Sequence, residues 1–317
     1  ELTLALKKKA QSFFDSLSLP ESLQKIYLQL SVPCDPFHFN NLCNYPKFPE
    51  IFSCLKSLNS FSLYFELDED GKSFYPENVY IQLAKSGFSL LDKILSSLSK
   101  MLNHLEVGFD FSKEITSYVS EKKVLDTIFQ HFRELEYLRL SFPNINFRPQ
   151  ETPNNFDPNK IKYLSFSQNA GLETAVSYMS PETLENLEYR AVIFHDQDLE
   201  YLFQGLQCIQ ELPQLKELIL DIHFHIKLKE VSIYQTLLRD ITNIIIKPEL
   251  KKLKINLNRI ELQKVDLQYL QNKVCSNRNL RNAYLRAETM RIKALPFLKG
   301  ECVEYRDEWE SLLFRGY

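Results

Sequence analysis

The sequence has 317 residues, of which 44% are hydrophobic and 25% charged, and this composition excludes a largely disordered chain because it can bury a large core. A net charge of −3 at pH 7 gives no overall attraction to nucleic acid. No apolar run approaches the roughly 20 residues that cross a bilayer, so we expect no membrane span.

The amino-terminal segment and the cysteines bear on the compartment. In residues 1–9 the basic cluster follows the apolar residues, which reverses the order of a secretory signal, and we expect residues 1–22 to be a cap or the remnant of a preceding segment. The 6 cysteines include no Cys-x-x-Cys pair, and a chain of this length needs no disulfides to hold its core. We therefore predict an intracellular protein, cytoplasmic or nuclear, with reduced thiols.

In chain order, the pattern apolar-x-x-apolar-x-apolar recurs about nine times, each time with the alternation of a short strand. Its three apolar positions are Leu23, Ile26, Leu28; Leu58, Phe61, Leu63; Leu102, Leu105, Val107; Leu135, Leu138, Leu140; Ile161, Leu164, Phe166; Leu184, Leu187, Tyr189; Leu215, Leu218, Leu220; Leu250, Leu253, Ile255; and Leu280, Ala283, Leu285. The first positions lie 35, 44, 33, 26, 23, 31, 35 and 30 residues apart, which leaves room for a crossover between consecutive parallel strands.

The segments between these strands have amphipathic, helix-like spacing. They predict helices at residues 79–102, 121–135, 197–212, 231–246 and 266–275. Residues 142–160 hold four prolines and several asparagines, and this composition predicts a loop in place of a helix. Strands that alternate with helices predict an α/β protein with a parallel sheet.

Two segments carry this pattern best, residues 135–140 and 215–220, which read Leu-Glu-Tyr-Leu-Arg-Leu and Leu-Lys-Glu-Leu-Ile-Leu. The chain resembles a leucine-rich-repeat protein of the ribonuclease-inhibitor-like group over roughly residues 20–290. The resemblance implies a solenoid, or horseshoe, with a parallel concave sheet and a mostly helical convex side. It implies a cap or remnant at 1–22, about nine irregular repeats at 23–299, and a cap or tail at 300–317.

The repeats depart from the family at the turns. Family repeats usually place an asparagine three residues after the last apolar position, where its side chain satisfies the backbone of the turn. Here only Asn169 and Asn258 occupy that position. We therefore expect an irregular solenoid.

No pattern of a known catalytic site is present. The 7 glycines are too far apart for a glycine-rich phosphate-binding loop. The Gly-x-Ser-x-Gly, His-Glu-x-x-His and zinc-type spacings are also absent. We expect a protein that is not an enzyme and that has no cofactor, no structural metal and no small-molecule substrate.

Two weaker patterns have a metal-binding interpretation and a simpler one. Five residues match positions 1, 3, 5, 6 and 12 of a helix-loop-helix calcium loop: Glu66, Asp68, Asp70, Gly71 and Glu77. The strand-like entering segment, residues 61–65, favours an ordinary acidic surface loop instead. His223 and His225 would point to one side of an extended segment, as half of a metal site, but the sequence offers no obvious third ligand.

The side chains between the core positions of each strand would face the concave surface, because neighbours along a strand alternate in direction. We predict a partner-binding surface there, formed by Tyr137, Arg139, Tyr163, Glu188, Arg190, Glu217, Asp221, Lys252, Lys254, Tyr284 and Arg286. Its first three members suit a hot spot, because tyrosine and arginine dominate such sites. The middle four are mostly acidic and the last four mostly basic. Loops and helices of the convex side are the other candidate surface.

The sequence thus predicts a non-enzymatic scaffold or adaptor for protein partners, either as a subunit of a larger complex or as a recognition module. The alternative is a nucleic-acid-binding subunit, because residues 247–299 hold 13 Lys and Arg against four acids. Tyr284 would be available for stacking beside Arg281 and Arg286. A steep salt dependence of binding would distinguish nucleic acid from a protein partner.

Overall fold

The computed structural model describes residues 2–7, 19–33, 47–68, 76–111, 115–119, 122–142, 145–147, 158–167, 172–226, 228, 231–289, 303–306 and 309–315. The chain divides into two compact units, Glu1–Ser180 (unit 1) and Pro181–Tyr317 (unit 2). In both units, parallel strands alternate with helices, which confirms the predicted α/β class with a parallel sheet. No helix in the described ranges is long and apolar enough to cross a membrane.

Within its described residues, unit 1 has eight strands: β1 (Leu2–Lys7), β2 (Lys25–Pro33), β3 (Ser60–Asp68), β4 (His104–Phe111), β5 (Ile115–Val119), β6 (Tyr137–Ser141), β7 (Ile145–Phe147) and β8 (Tyr163–Ser167). Six of them form a parallel sheet in the order β1-β2-β3-β4-β6-β8. β5 and β7 form a separate parallel pair.

The helices of unit 1 pack on one face of its sheet. They are α1 (Lys47–Ser53), α2 (Glu77–Ser97), α3 (Lys122–His131) and α4 (Leu172–Ser177). Phe52 of α1 meets the ring of Phe61 at 5.5 Å between centroids, and Phe88 of α2 meets Phe109 at 5.2 Å. Gly87 lets α2 approach β4 closely, since a Cβ there would lie 2.6 Å from Cε1 of Phe109.

Strand pairing confirms the predicted register in unit 1. The second apolar positions of five consecutive repeats are cross-strand partners along the sheet and are all buried: Ile26, Phe61, Leu105, Leu138 and Leu164. The opposite face of the strands is half-exposed at most positions. We call this the open face; it carries residues 25, 27 and 29 of β2 and the residues paired with them.

Unit 2 repeats the alternation of strand and helix. Its described elements are β9 (Asn186–Ile193), α5 (Asp196–Glu211), β10 (Glu217–Phe224), α6 (Val231–Ile245), β11 (Lys252–Leu262), α7 (Lys264–Ser276), β12 (Asn282–Thr289), β13 (Val303–Arg306) and β14 (Trp309–Arg315). Strands β9 to β12 are parallel, and β14 then pairs antiparallel with both β12 and β13. Leu187, Leu218, Leu253 and Ala283 are cross-strand partners and buried, which again confirms the register.

The five predicted helices are present. One of their ten termini, residue 231, is at the predicted position, and the others lie within five residues of their predicted positions. Helix α3 is shorter at its carboxyl end, at His131 rather than 135, because the turn into β6 begins at Phe132. The sequence pattern does not predict β1, α1, α4, β5, β7, β13 or β14. β1 lies within residues 1–22 and β7 within the proline-rich stretch 142–160, most of which is outside the described residues.

Candidate functional site

Three aromatic rings on the open face of unit 1 are stacked in a column. His104, Tyr137 and Tyr163 are cross-strand partners on β4, β6 and β8. The ring centroids are 4.0 Å apart between His104 and Tyr137 and 4.4 Å apart between Tyr137 and Tyr163, with the planes within 7° and 6° of parallel. Parallel strands lie about 4.8 Å apart, so flat side chains at one register position stack face to face. We call these three residues the aromatic column.

A carboxylate links the aromatic column to the neighbouring strand. The Glu106 carboxylate accepts the Tyr64 hydroxyl hydrogen on Oε2 at 2.6 Å, and His104 Nε2 lies 3.0 Å from its Oε1. Burial alone would raise the pKa of Glu106, but the hydrogen bonds from His104 and Tyr64 and the charges of His104 and Arg139 outweigh it and lower the pKa. Glu106 is therefore ionised at neutral pH and holds both side chains in place.

Arg139 lies beside the aromatic column. It is the cross-strand partner of Glu106 on one side and of Ser165 on the other, and it is half-exposed. The structure therefore brings together Tyr137, Arg139 and Tyr163, as the sequence predicts, on two adjacent strands. His104, Glu106 and Tyr64 are not among the residues predicted to bind a partner, although the register alone places His104 and Glu106 next to Tyr137 and Arg139.

A pocket of about 240 Å³ opens between the strands of the same face. Its lining includes Tyr27, Gln29, Tyr64, Glu66, Gly108 and Ser141. A Cβ at Gly108 would lie 2.8 Å from the carbonyl oxygen of Ser141 and 2.9 Å from Cδ1 of Tyr64, so a side chain there would displace its neighbours. We call this cavity the Gly108 pocket.

In unit 2, several predicted contact residues neutralise one another. Arg190 forms an ion pair with Glu188 at 2.6 Å, and Glu188 is only 8% exposed. Lys252 forms an ion pair with Glu217, also at 2.6 Å, between β11 and β10. These contacts reduce the net charge that the predicted acidic and basic zones would present to a partner.

The remaining predicted residues of unit 2 also lie in contact with other side chains. Nζ of Lys254 lies 5.8 Å from the centre of the Tyr284 ring, at the outer range of a cation–π contact. Arg286 is the cross-strand partner of Asn256. Asp221 accepts a hydrogen bond at 2.9 Å from the side-chain amide of Asn258. The predicted contact residues of unit 2 thus do not form one cluster comparable to the aromatic column.

Asn258 has a different role from the one that the family resemblance implies. It lies inside β11, and its amide nitrogen is also 2.7 Å from Nε2 of His223, so it binds side chains rather than a turn. Next to it, Arg259 has a φ of 61°, in a bulge of β11, and its Nη1 is 2.9 Å from Nδ1 of His225. Asn169, the other asparagine at this repeat position, is outside the described residues.

The metal-binding interpretations gain no support from the described geometry. Across the ranges that the structure describes, no group of three or more His, Cys, Asp or Glu side chains is arranged to hold a metal ion. The segment that enters the acidic loop is strand β3, as expected for an ordinary surface loop, and not the helix of a helix-loop-helix site. Asp70 and Gly71 lie outside the described residues.

The basic residues of segment 247–299 are spread over different surfaces. Lys247 donates from Nζ to the carbonyl oxygen of Gln210 at 2.6 Å, and burial lowers its pKa. Lys273 lies on α7, with Nζ 5.2 Å from the centre of the Tyr269 ring. Residues 290–299 are outside the described part of the chain. Lys247 and Lys273 therefore lie on other elements than Lys252 and Lys254 of β11.

No model of a known protein family matches the chain, and no curated protein matches it. The geometry of the open face is therefore the basis on which a function can be proposed.

Proposed function

We propose that this chain is a non-enzymatic scaffold or adaptor that binds a protein partner through the open face of a leucine-rich-repeat solenoid of the ribonuclease-inhibitor-like type. The repeat assignment is supported by one parallel strand per repeat, at the predicted register, in each unit. The partner would be bound in a reducing compartment, the cytoplasm or the nucleus.

The observation that carries the proposal is the aromatic column with Arg139 beside it. Stacking fixes the rings of Tyr137 and Tyr163 before any partner binds, so little side-chain entropy remains to be lost. Tyrosine and arginine are the residues whose burial contributes most at protein interfaces. A half-exposed, preorganised group of these residues is what a hot spot requires.

The first test is affinity purification of the protein from its native cell, followed by mass spectrometry. Wild type is compared with a variant that carries Tyr137→Ala, Arg139→Ala and Tyr163→Ala. A control variant carries the same number of truncations at exposed positions of α2, namely Gln82, Lys85 and Lys93. Circular dichroism and thermal unfolding establish that both variants fold.

The proposal expects a defined protein that wild type and the control variant recover and the open-face variant does not. Retention of every partner by the open-face variant would contradict it. Recovery of nucleic acid, with an affinity that falls steeply between low and high salt, would support the alternative based on residues 247–299.

A further inference from the structure

The Gly108 pocket is a part of the open face that the aromatic column does not occupy. Two tyrosine rings line it, Tyr27 and Tyr64, with centroids 5.8 Å apart and planes tilted by 40°. The hydrogen bond from Tyr64 to Glu106 fixes one of these rings. Gly108, the cross-strand partner of Tyr64 on β4, has no side chain, so the Tyr64 ring can lie close over that strand beside the Ser141 carbonyl oxygen. The pocket is therefore preformed, with aromatic walls.

Two carboxylates lie at or beside the pocket, Glu66 in its lining and Glu106 bonded to the lining residue Tyr64. The cations on the adjoining strands are Arg139, the cross-strand partner of Glu106, and Lys25 at the start of β2. Lys25 is paired with Ser60 at the start of β3, and Glu66 follows six residues later along that strand. That separation is about 20 Å along the strand, about twice the distance over which 0.1 M salt screens a charge. Lys25 therefore does not neutralise the pocket.

Glu66 supplies a carboxylate at the pocket that no cation among the described residues neutralises. Its Oε2 accepts a hydrogen bond of 3.2 Å from the Gln29 amide, and the side chain is exposed. In the ranges that the structure describes, no lysine, arginine or histidine forms an ion pair with it. Within that part of the chain, its Oε1 has no partner and can accept from an incoming donor.

We infer that the Gly108 pocket receives the guanidinium group of an arginine side chain from the protein partner, an inference that rests on the proposed function. A guanidinium is flat, stacks on aromatic rings and donates in a fork to a carboxylate. Tyr27 and Tyr64 supply the ring faces, and Glu66 supplies the carboxylate. A lysine ammonium is more strongly hydrated and cannot stack in this way.

The test uses a small probe and does not require the partner. The purified chain is titrated with n-butylguanidinium and, separately, with n-butylurea, which has nearly the same shape and no charge. Binding is followed by saturation-transfer difference NMR. We expect saturable binding of the cation that weakens as salt is added, and no measurable binding of the urea.

Variants assign the binding to the pocket. Glu66→Gln should lower the affinity for n-butylguanidinium by about three- to tenfold, the range for a partly exposed, charge-assisted contact. Tyr27→Leu should weaken it as well, because one ring face is lost. Glu134→Gln removes an exposed carboxylate elsewhere in unit 1 and should leave the affinity unchanged. Equal binding of the urea, or equal loss with Glu134→Gln, overturns the inference.

The two proposals can fail separately. If the cation does not bind while partner recovery still depends on the aromatic column, the pocket inference is wrong and the proposed function stands. If the cation binds in a Glu66-dependent way while the open-face variant keeps every partner, the pocket is a guanidinium site and the proposed function is wrong.

Discussion

Tyr64 and Glu106, which are 42 residues apart in the chain, are joined across β3 and β4 by a hydrogen bond of 2.6 Å. The bond has consequences for two surfaces. On one side it fixes a ring of the Gly108 pocket, and on the other it fixes the carboxylate that contacts His104 of the aromatic column. Burial and this hydrogen bond both raise the pKa of the Tyr64 hydroxyl, so it is protonated and donates at neutral pH.

Tyr64→Phe should lower the free energy of unfolding by about 0.5–1.5 kcal/mol, the usual net value of one hydrogen bond. The ring and its packing stay, so only the donor is lost. Urea unfolding measures the change, and Tyr27→Phe is the matched control because the Tyr27 hydroxyl makes no hydrogen bond among the described residues. An equal effect of the two substitutions would show that the bond contributes nothing.

Glu106→Gln should change how stability depends on pH. Because the folded protein lowers the pKa of Glu106, the carboxylate stabilises the fold above its unfolded-state pKa of about 4.3. That contribution is lost as the pH falls through the lower, folded-state pKa. The difference in unfolding free energy between wild type and Glu106→Gln should therefore be largest near neutrality and shrink in acid. Urea unfolding at about pH 7 and about pH 3.5 tests this, and a pH-independent difference would refute it.

Gly87→Ala should destabilise the protein far more than Gly205→Ala, although both glycines lie in helices. Alanine stabilises a helix interior by about 1 kcal/mol relative to glycine. At Gly87 the new methyl group would lie 2.6 Å from the Phe109 ring, which is buried between Phe65 and Phe142 and cannot move away. We expect Gly87→Ala to destabilise unit 1 by about 1–3 kcal/mol, the usual effect of overpacking.

At Gly205 the nearest atom is the Tyr189 hydroxyl oxygen at 3.1 Å, a contact that a small shift relieves. Gly205→Ala should therefore be near neutral or stabilising. Thermal unfolding of both variants makes the comparison, and destabilisation of similar size at both positions would mean that close approach to Phe109 is not the cause.

Asp198→Ala should destabilise α5 far more than Asp196→Ala, although both residues are in its first turn. Oδ2 of the buried Asp198 accepts the backbone hydrogens of Phe194 and His195, each at 2.9 Å. Its loss leaves two N–H groups without that acceptor and should cost about 1–3 kcal/mol. Asp196 is exposed, and we expect a change within about 0.5 kcal/mol. Thermal unfolding of the two variants is the measurement.

The fold could be predicted from the sequence because the repeat fixes which side chains are buried. Leu138 and Leu140 alternate with Tyr137 and Arg139, and a strand shifted by one residue would bury the wrong pair. The apolar positions recur in the same order in the other repeats, so the register across the five parallel strands β2, β3, β4, β6 and β8 of unit 1 follows from one pattern. Elements outside the repeat, such as β5 and α1, have no such periodicity and are fixed by tertiary packing.

The candidate site could be predicted only in part. Tyr137, Arg139 and Tyr163 follow from the register, and so does the place of His104. The hydrogen bond between Tyr64 and Glu106 depends on rotamers of two side chains in different columns, which no spacing encodes. In unit 2, the sequence places Glu217 in an acidic zone and Lys252 in a basic one. The structure pairs the two residues across β10 and β11, where they neutralise each other.

The antiparallel hairpin of β13 and β14 determines how the sheet of unit 2 ends. Parallel strands such as β12 otherwise present a row of unpaired N–H and C=O groups to any second chain, which is the usual start of edge-to-edge aggregation. β14 covers that row from Asn282 to Ala287, and the strand left at the border, β13, has only four residues. Among the described residues, the hairpin thus leaves a border strand of four residues, which presents few unpaired backbone groups to a further strand.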